Sequence, residues 1–181
     1  MTININLGTK QIYIDGQYIE DNITNEKHYR NQTIENLICI IDDNEYYNKV
    51  KKMNKNIFIN KIYFLLIKGN REINIYNAIN SYLKKINSHS VTEIIFGKEF
   101  FLGKEIINDN FISYNFPIFD LLKEELFLKK KTFVLPRLKT IKLDSANSMH
   151  DKKHLYLGLL LLFPNSNIDI DGVTIIDSKK D

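Results

Sequence analysis

Short apolar-rich runs, some of them strictly alternating with polar residues, recur along the chain, and each ends at a turn-forming residue. Ile12-Tyr13-Ile14-Asp15-Gly16, Leu65-Leu66-Ile67-Lys68-Gly69, Glu93-Ile94-Ile95-Phe96-Gly97 and Ile168-Asp169-Ile170-Asp171-Gly172 share this form. Ile141-Lys142-Leu143-Asp144-Ser145 repeats it with Ser in the Gly place. Such alternation predicts strands, and a glycine directly after a strand supplies the positive φ that a tight exit often needs. The turn positions 16, 69, 97, 145 and 172 are separated by 53, 28, 48 and 27 residues. Ile40-Ile41-Asp42-Asp43 falls near the middle of the first long gap. Self-similarity at a period of a few tens of residues is the sequence mark of a solenoid.

Helical patterns fill the intervals. Ile75, Ile79, Tyr82, Leu83 and Ile86 fall on one helical face, with Asn74 placed to cap it. Tyr46 or Tyr47, Val50 and Met53 predict a shorter, more polar helix. Pro117 suits the first turn of a helix running through Leu121, Leu122 and Leu126 to Lys131. A last helix is expected from about Asp151, with Ser148 as a candidate cap, to just before Pro164. Strand and helix in alternation predict an α/β fold with parallel strands and right-handed crossovers.

Against that background the chain resembles the leucine-rich-repeat family. The segment from Ile59 to Asn70 fits L-x-x-L-x-x-L-x-L-x-x-N at every fixed position, through Ile59, Ile62, Leu65, Ile67 and Asn70. The segment from Leu135 to Ala146 fits except at its last place. Val91, Ile94 and Phe96 give a partial third copy, and Ile168 and Ile170 a partial fourth. The 27–28-residue spacing is similar to that of the ribonuclease-inhibitor-like class. The resemblance implies one domain over 1–181, a short right-handed βα solenoid, with 1–56 as a cap or irregular repeats and 57–181 as repeat-like units. A small open α/β sheet domain is the alternative. It also implies that the Asn at the end of the pattern, here Asn70, bonds the backbone of the turn.

Composition changes this picture little. Ile, Asn and Lys number 29, 22 and 22, and there are two Ala and no Trp. That bias reports A/T-rich codons and warns against reading chemistry into any lysine cluster. The net charge of +3 is too small to mark a nucleic-acid binder. One cysteine, Cys39, excludes an internal disulfide framework and suits a buried thiol in a reducing, cytoplasmic setting. The longest apolar stretch, Leu155 to Phe163, is far short of the about 20 residues of a membrane span.

No catalytic, metal or cofactor constellation stands out. Asp169-Ile170-Asp171-Gly172 is similar to an aspartyl-phosphatase loop and to the start of a calcium loop, but too few residues follow for either fold. His150 and His154 have the i, i+4 spacing of zinc ligands, with two lysines beside them and no third ligand in view. The basic stretch 123–142, with Phe127 and Phe133 interleaved, is the one candidate for nucleic acid.

The resemblance places the outward-pointing residues of the strands on a partner-binding face. These would be Tyr13 and Asp15; Phe64, Leu66 and Lys68; Glu93 and Ile95; Thr140, Lys142 and Asp144; and Asp169 and Asp171. Apolar groups at the centre with charges at the rim suit a protein partner. A small chain without chemistry of its own resembles, in role, a bacterial immunity protein that binds and neutralises a toxin. A phage-encoded inhibitor would look the same.

Overall fold

The structure, a computed structural model, describes residues 3–6, 11–14, 17–20, 33–50, 52–53, 55–103, 105–108, 111–114, 116–128, 132–144, 152–165, 169–171 and 173–174. Eleven strands are present among them: β1 (Ile3–Asn6), β2 (Gln11–Ile14), β3 (Gln17–Glu20), β4 (Thr33–Ile41), β5 (Phe58–Leu66), β6 (Glu93–Phe96), β7 (Glu105–Asn108), β8 (Phe111–Tyr114), β9 (Thr140–Leu143), β10 (Asp169–Ile170) and β11 (Val173–Thr174). The helices are α1 (Ile75–Lys85), α2 (Pro117–Leu128) and α3 (Lys153–Leu162).

Nine strands form one open sheet in the order β11-β10-β9-β6-β5-β4-β1-β2-β3. Its centre, β4-β5-β6-β9-β10, is all parallel, and β1 adds to β4 in parallel. Along that centre the spatial order is the chain order, with no reversal. The edges are antiparallel: β2 and β3 fold back beside β1, and β11 folds back on β10. β7 and β8 make a separate hairpin.

The parallel strands share one inward pattern, two apolar residues three apart and a third two further on. It reads Ile34, Leu37, Cys39 in β4; Ile59, Ile62, Phe64 in β5; Val91, Ile94, Phe96 leading into β6; and Leu138, Ile141, Leu143 leading into β9. All twelve residues are buried. The register sets the copies side by side, with Leu37, Ile62, Ile94 and Ile141 in one row and Cys39, Phe64, Phe96 and Leu143 in the next. Phe64 and Phe96 stack at 5.7 Å between ring centres, and Phe100 meets Phe96 edge-on at 5.4 Å.

The helices cover this inward face. α1 buries Ile75, Tyr76, Ala78, Ile79, Tyr82 and Leu83, which belong to the same apolar cluster as Phe64 and Phe96. The Asn74 side chain caps α1 by accepting from the Asn77 amide at 3.0 Å, as the sequence predicts. α1 packs on α2 and α2 on α3, where Gly158 lets the Leu122 side chain approach so closely that an added Cβ would lie 2.8 Å from it. The predicted helix over 46–53 is only a 3-10 turn, Tyr46–Asn48. The last helix starts at Lys153, with Lys152 at its N-cap; Ser148 lies outside the described residues.

Two expectations about the turns are corrected. Neither Ile12–Ile14 nor Asp169–Ile170 opens a βα unit. β2 is followed two residues on by its antiparallel partner β3, and β10 two residues on by its antiparallel partner β11, so both pairs are hairpins. Asp171 has φ +52°, the left-handed value that such a turn demands. The glycines after β5 and β6 serve space instead of φ. Gly97 has φ −64°, and a Cβ there would lie 3.1 Å from Leu65 Cδ2 and 3.2 Å from the Phe64 carbonyl oxygen. At Gly69 a Cβ would collide with the Asp43 carboxylate. That carboxylate accepts from the Asn70 and Arg71 amides at 2.8 and 3.2 Å. The turn is therefore organised by Asp43, reaching across from the neighbouring unit, and Asn70 contributes its backbone.

Candidate functional site

Strand side chains alternate, so the residues between the buried rows form the face opposite the helices. Ile38, Tyr63, Ile95 and Lys142 make one cross-strand row there, and Asn36, Lys61, Glu93, Thr140 and Asp169 another. Leu65 lies beside Ile40. Ile38, Tyr63, Leu65 and Ile95 are half-buried and stand outside the main apolar cluster. Ile40 is buried but also apart from that cluster. The centre of this face is thus apolar over three neighbouring strands.

Charged groups border it. Glu93 is almost fully buried, and its two carboxylate oxygens are bridged by Lys142 at 3.0 Å and Lys61 at 3.5 Å. Burial by itself pushes the Glu93 carboxyl up. The two ammonium groups outweigh that and hold it below the usual glutamate range. The three groups together carry one net positive charge, with both lysines reaching solvent. At the end of the next row the Tyr63 hydroxyl donates to Asp144 at 3.0 Å. Burial, then the bond and charge of Asp144, then Glu99, push the Tyr63 phenol up. A further polar ladder crosses the strand starts: Asn60 donates to Glu35 at 2.8 Å, and the Thr92 hydroxyl donates to Asn60 Oδ1 at 2.5 Å.

The structure brings Glu93, Ile95, Lys142 and Asp144 together on this face. Asp169 continues their row from β10, and Asp171 is exposed just beyond it. Lys68 is exposed in the loop after β5, away from the strand rows. Phe64 and Leu66 point the other way. Both are buried in the helix-covered core, so the outward residues of β5 are Lys61, Tyr63 and Leu65. A one-residue slip flips every side chain of a strand, and the run Tyr63 to Ile67 carries no polar residue to mark its phase. The same slip places Ile67 in solvent. Tyr13 lies in β2, and Asp15, like the side chain of Tyr13, is outside the described residues.

Among the described residues the polar groups of this face are the Lys61–Glu93–Lys142 bridge, the Tyr63–Asp144 pair and the Glu35–Asn60–Thr92 ladder. Cys39 is fully buried, and burial pushes its thiol well up. Among the described residues no three His, Cys, Asp or Glu side chains gather as a metal would require, and no helix is long and apolar enough to cross a membrane. His154 is exposed at the start of α3, and His150 lies outside the described residues. Of the basic stretch, Arg137, Lys139 and Lys142 are exposed around β9, while Lys129, Lys130 and Lys131 lie outside the described residues. Comparison with protein families, curated proteins and solved structures finds no match to this chain.

Proposed function

We propose that this chain is a non-enzymatic protein-binding module, a short leucine-rich-repeat-like βα solenoid whose working surface is the sheet face opposite the helices. The observation that carries the reading is the alignment of four L-x-x-L-x-L segments in adjacent parallel strands, in chain order, with the described helices on one side. That arrangement leaves Tyr63, Leu65 and Ile95 as a half-exposed apolar centre between the Lys61–Glu93–Lys142 bridge and the Tyr63–Asp144 pair. An apolar centre with a charged rim is the anatomy of a protein interface. The role that fits a small binder of this kind is that of an immunity protein, which occupies a toxin domain and blocks it inside a reducing compartment where Cys39 stays a thiol.

Co-expression with the toxin-like products of neighbouring genes tests the role. A stoichiometric complex that Leu65→Asp abolishes, and that leaves the toxin inactive while intact, is the expected result. A chain that binds none of its neighbours' products, or that retains nucleic acid in a steeply salt-dependent way, would overturn it.

A further inference from the structure

On the open sheet face the Tyr63 hydroxyl does not stay beside its own strand. β6 lies between β5 and β9, so Tyr63 and Asp144 belong to strands about 10 Å apart. The hydroxyl nevertheless donates to the Asp144 carboxylate at 3.0 Å. A tyrosine ring spans that gap by lying along the sheet, across β6, instead of standing up from it. What it crosses is Gly97. A Cβ there would lie 3.4 Å from Tyr63 Cε1 and 3.1 Å from Leu65 Cδ2. The φ of −64° at Gly97 suits any residue, so the backbone itself does not require glycine. Both ends of the span are tied to the ladder. The Gly97 amide donates to the Phe64 carbonyl at 2.9 Å, and the Asp144 amide donates to the Phe96 carbonyl at 2.9 Å.

We propose that Tyr63 is a preformed aromatic anchor for the partner of this face, with Gly97 as its seat and Asp144 as its positioning residue. The inference rests on the binding role proposed for the face and deepens it. A half-exposed tyrosine ordinarily loses rotamer freedom when a partner covers it, and that loss weakens binding. Here the ring is already laid flat, so the ordering is completed on folding. Rigid aromatic side chains are the residues that carry most binding energy at protein interfaces. Asp144 then strengthens binding through Tyr63. Burial, then Asp144, then Glu99 push the Tyr63 phenol up, which keeps on its oxygen the proton that is donated to Asp144.

NMR of the full chain, free and with the protein it captures on co-expression, tests this in wild type, Asp144→Ala and Asp144→Asn. In free wild type the Hα–Hβ couplings of Tyr63 should report one χ1 rotamer, with Overhauser contacts from the ring to the Gly97 Hα. Asp144→Ala should average the couplings, lose those contacts and move the phenol titration down, with melting nearly unchanged. Its affinity for the partner should fall about two- to tenfold. Asp144→Asn, which keeps an acceptor, should restore the couplings and most of the affinity. Averaged couplings in free wild type, or wild-type couplings in Asp144→Ala, would overturn the preformed anchor. A freed ring with unchanged affinity would overturn the part of Asp144 in binding. A chain that captures no protein would remove the binding role itself, a failure that the couplings of the free chain keep distinct.

Discussion

The two faces of β5 and β6 are made of the same kinds of residue and behave differently. On one face Phe64 and Phe96 stack beneath the helices with no exposure. On the other, Tyr63, Leu65 and Ile95 are comparably large and apolar, yet they keep part of their surface in solvent and are bordered by charge. Apolar content therefore does not separate the two faces here. What separates them is whether a second layer covers the row. The helix-covered face carries the core, and among the described residues no helix lies on the other.

Substitutions of adjacent residues in β5 should pull these two properties apart. Phe64→Ala is expected to cost about 3–5 kcal/mol in urea unfolding, since it removes a stacked ring from a closed core. Leu65→Ala, one residue on, should cost about 1 kcal/mol or less while weakening partner binding. If the two variants lose similar stability, the faces are not distinct.

Gly97→Ala probes where the faces meet. Its Cβ would press on Leu65 from the open side and on the Phe64 carbonyl, costing about 1–3 kcal/mol. A neutral effect would mean that this turn is looser than described.

The Glu93 bridge gives a signature in pH. The folded-state pKa of Glu93 is depressed, so its contribution is present above the unfolded value of about 4.3 and is lost as pH falls through the lower folded value. Wild type should therefore be more stable than Glu93→Gln near neutrality, and the gap should close below about pH 4. A gap that persists in acid would remove the lysines as its cause. The smallest effect is expected for Tyr63→Phe. It loses one solvent-accessible bond to Asp144 and about 0.5–1 kcal/mol, and it should move binding more than stability.

How far the sequence could be read depended on where polar residues interrupt the apolar ones. In β9, Thr140-Ile141-Lys142-Leu143 alternates cleanly, so its inward and outward residues were legible without a structure. The same holds for α1, where Asn74 and a 3.6-residue period left little freedom. In β5 the run from Tyr63 to Ile67 is apolar throughout, and either face was locally acceptable. Its phase is set by pairing with Leu37 and Cys39 on one side and Ile94 and Phe96 on the other. A leucine-rich-repeat template alone put Leu65 and Ile67 inward. That template hides the outward set Lys61, Tyr63 and Leu65, whereas the L-x-x-L-x-L spacing of Val91-Ile94-Phe96, matched onto Ile59-Ile62-Phe64, reveals it.

The two Asp-Gly hairpins are hidden in the sequence for another reason. Alternation gives a strand but not its direction, and a two-residue Asp-Gly connection, which signals a reversal, looks in a repeat template like a strand exit into a crossover. The spread of charge over the open face was not readable at all. Lys61, Glu93 and Lys142 are far apart in the chain and meet only through strand register.

The central claim, that the open sheet face is the working surface, is tested most directly by affinity capture. The tagged wild-type chain and its Leu65→Asp, Ile95→Asp and Asn77→Asp variants would be compared in native host extract at moderate salt. The predicted result is one stoichiometric protein partner held by wild type and by Asn77→Asp, whose change lies on the exposed side of α1, and lost from the two sheet-face variants, all four chains being folded. Retention of the same partner by Leu65→Asp and Ile95→Asp, or its loss from Asn77→Asp alone, would contradict the account.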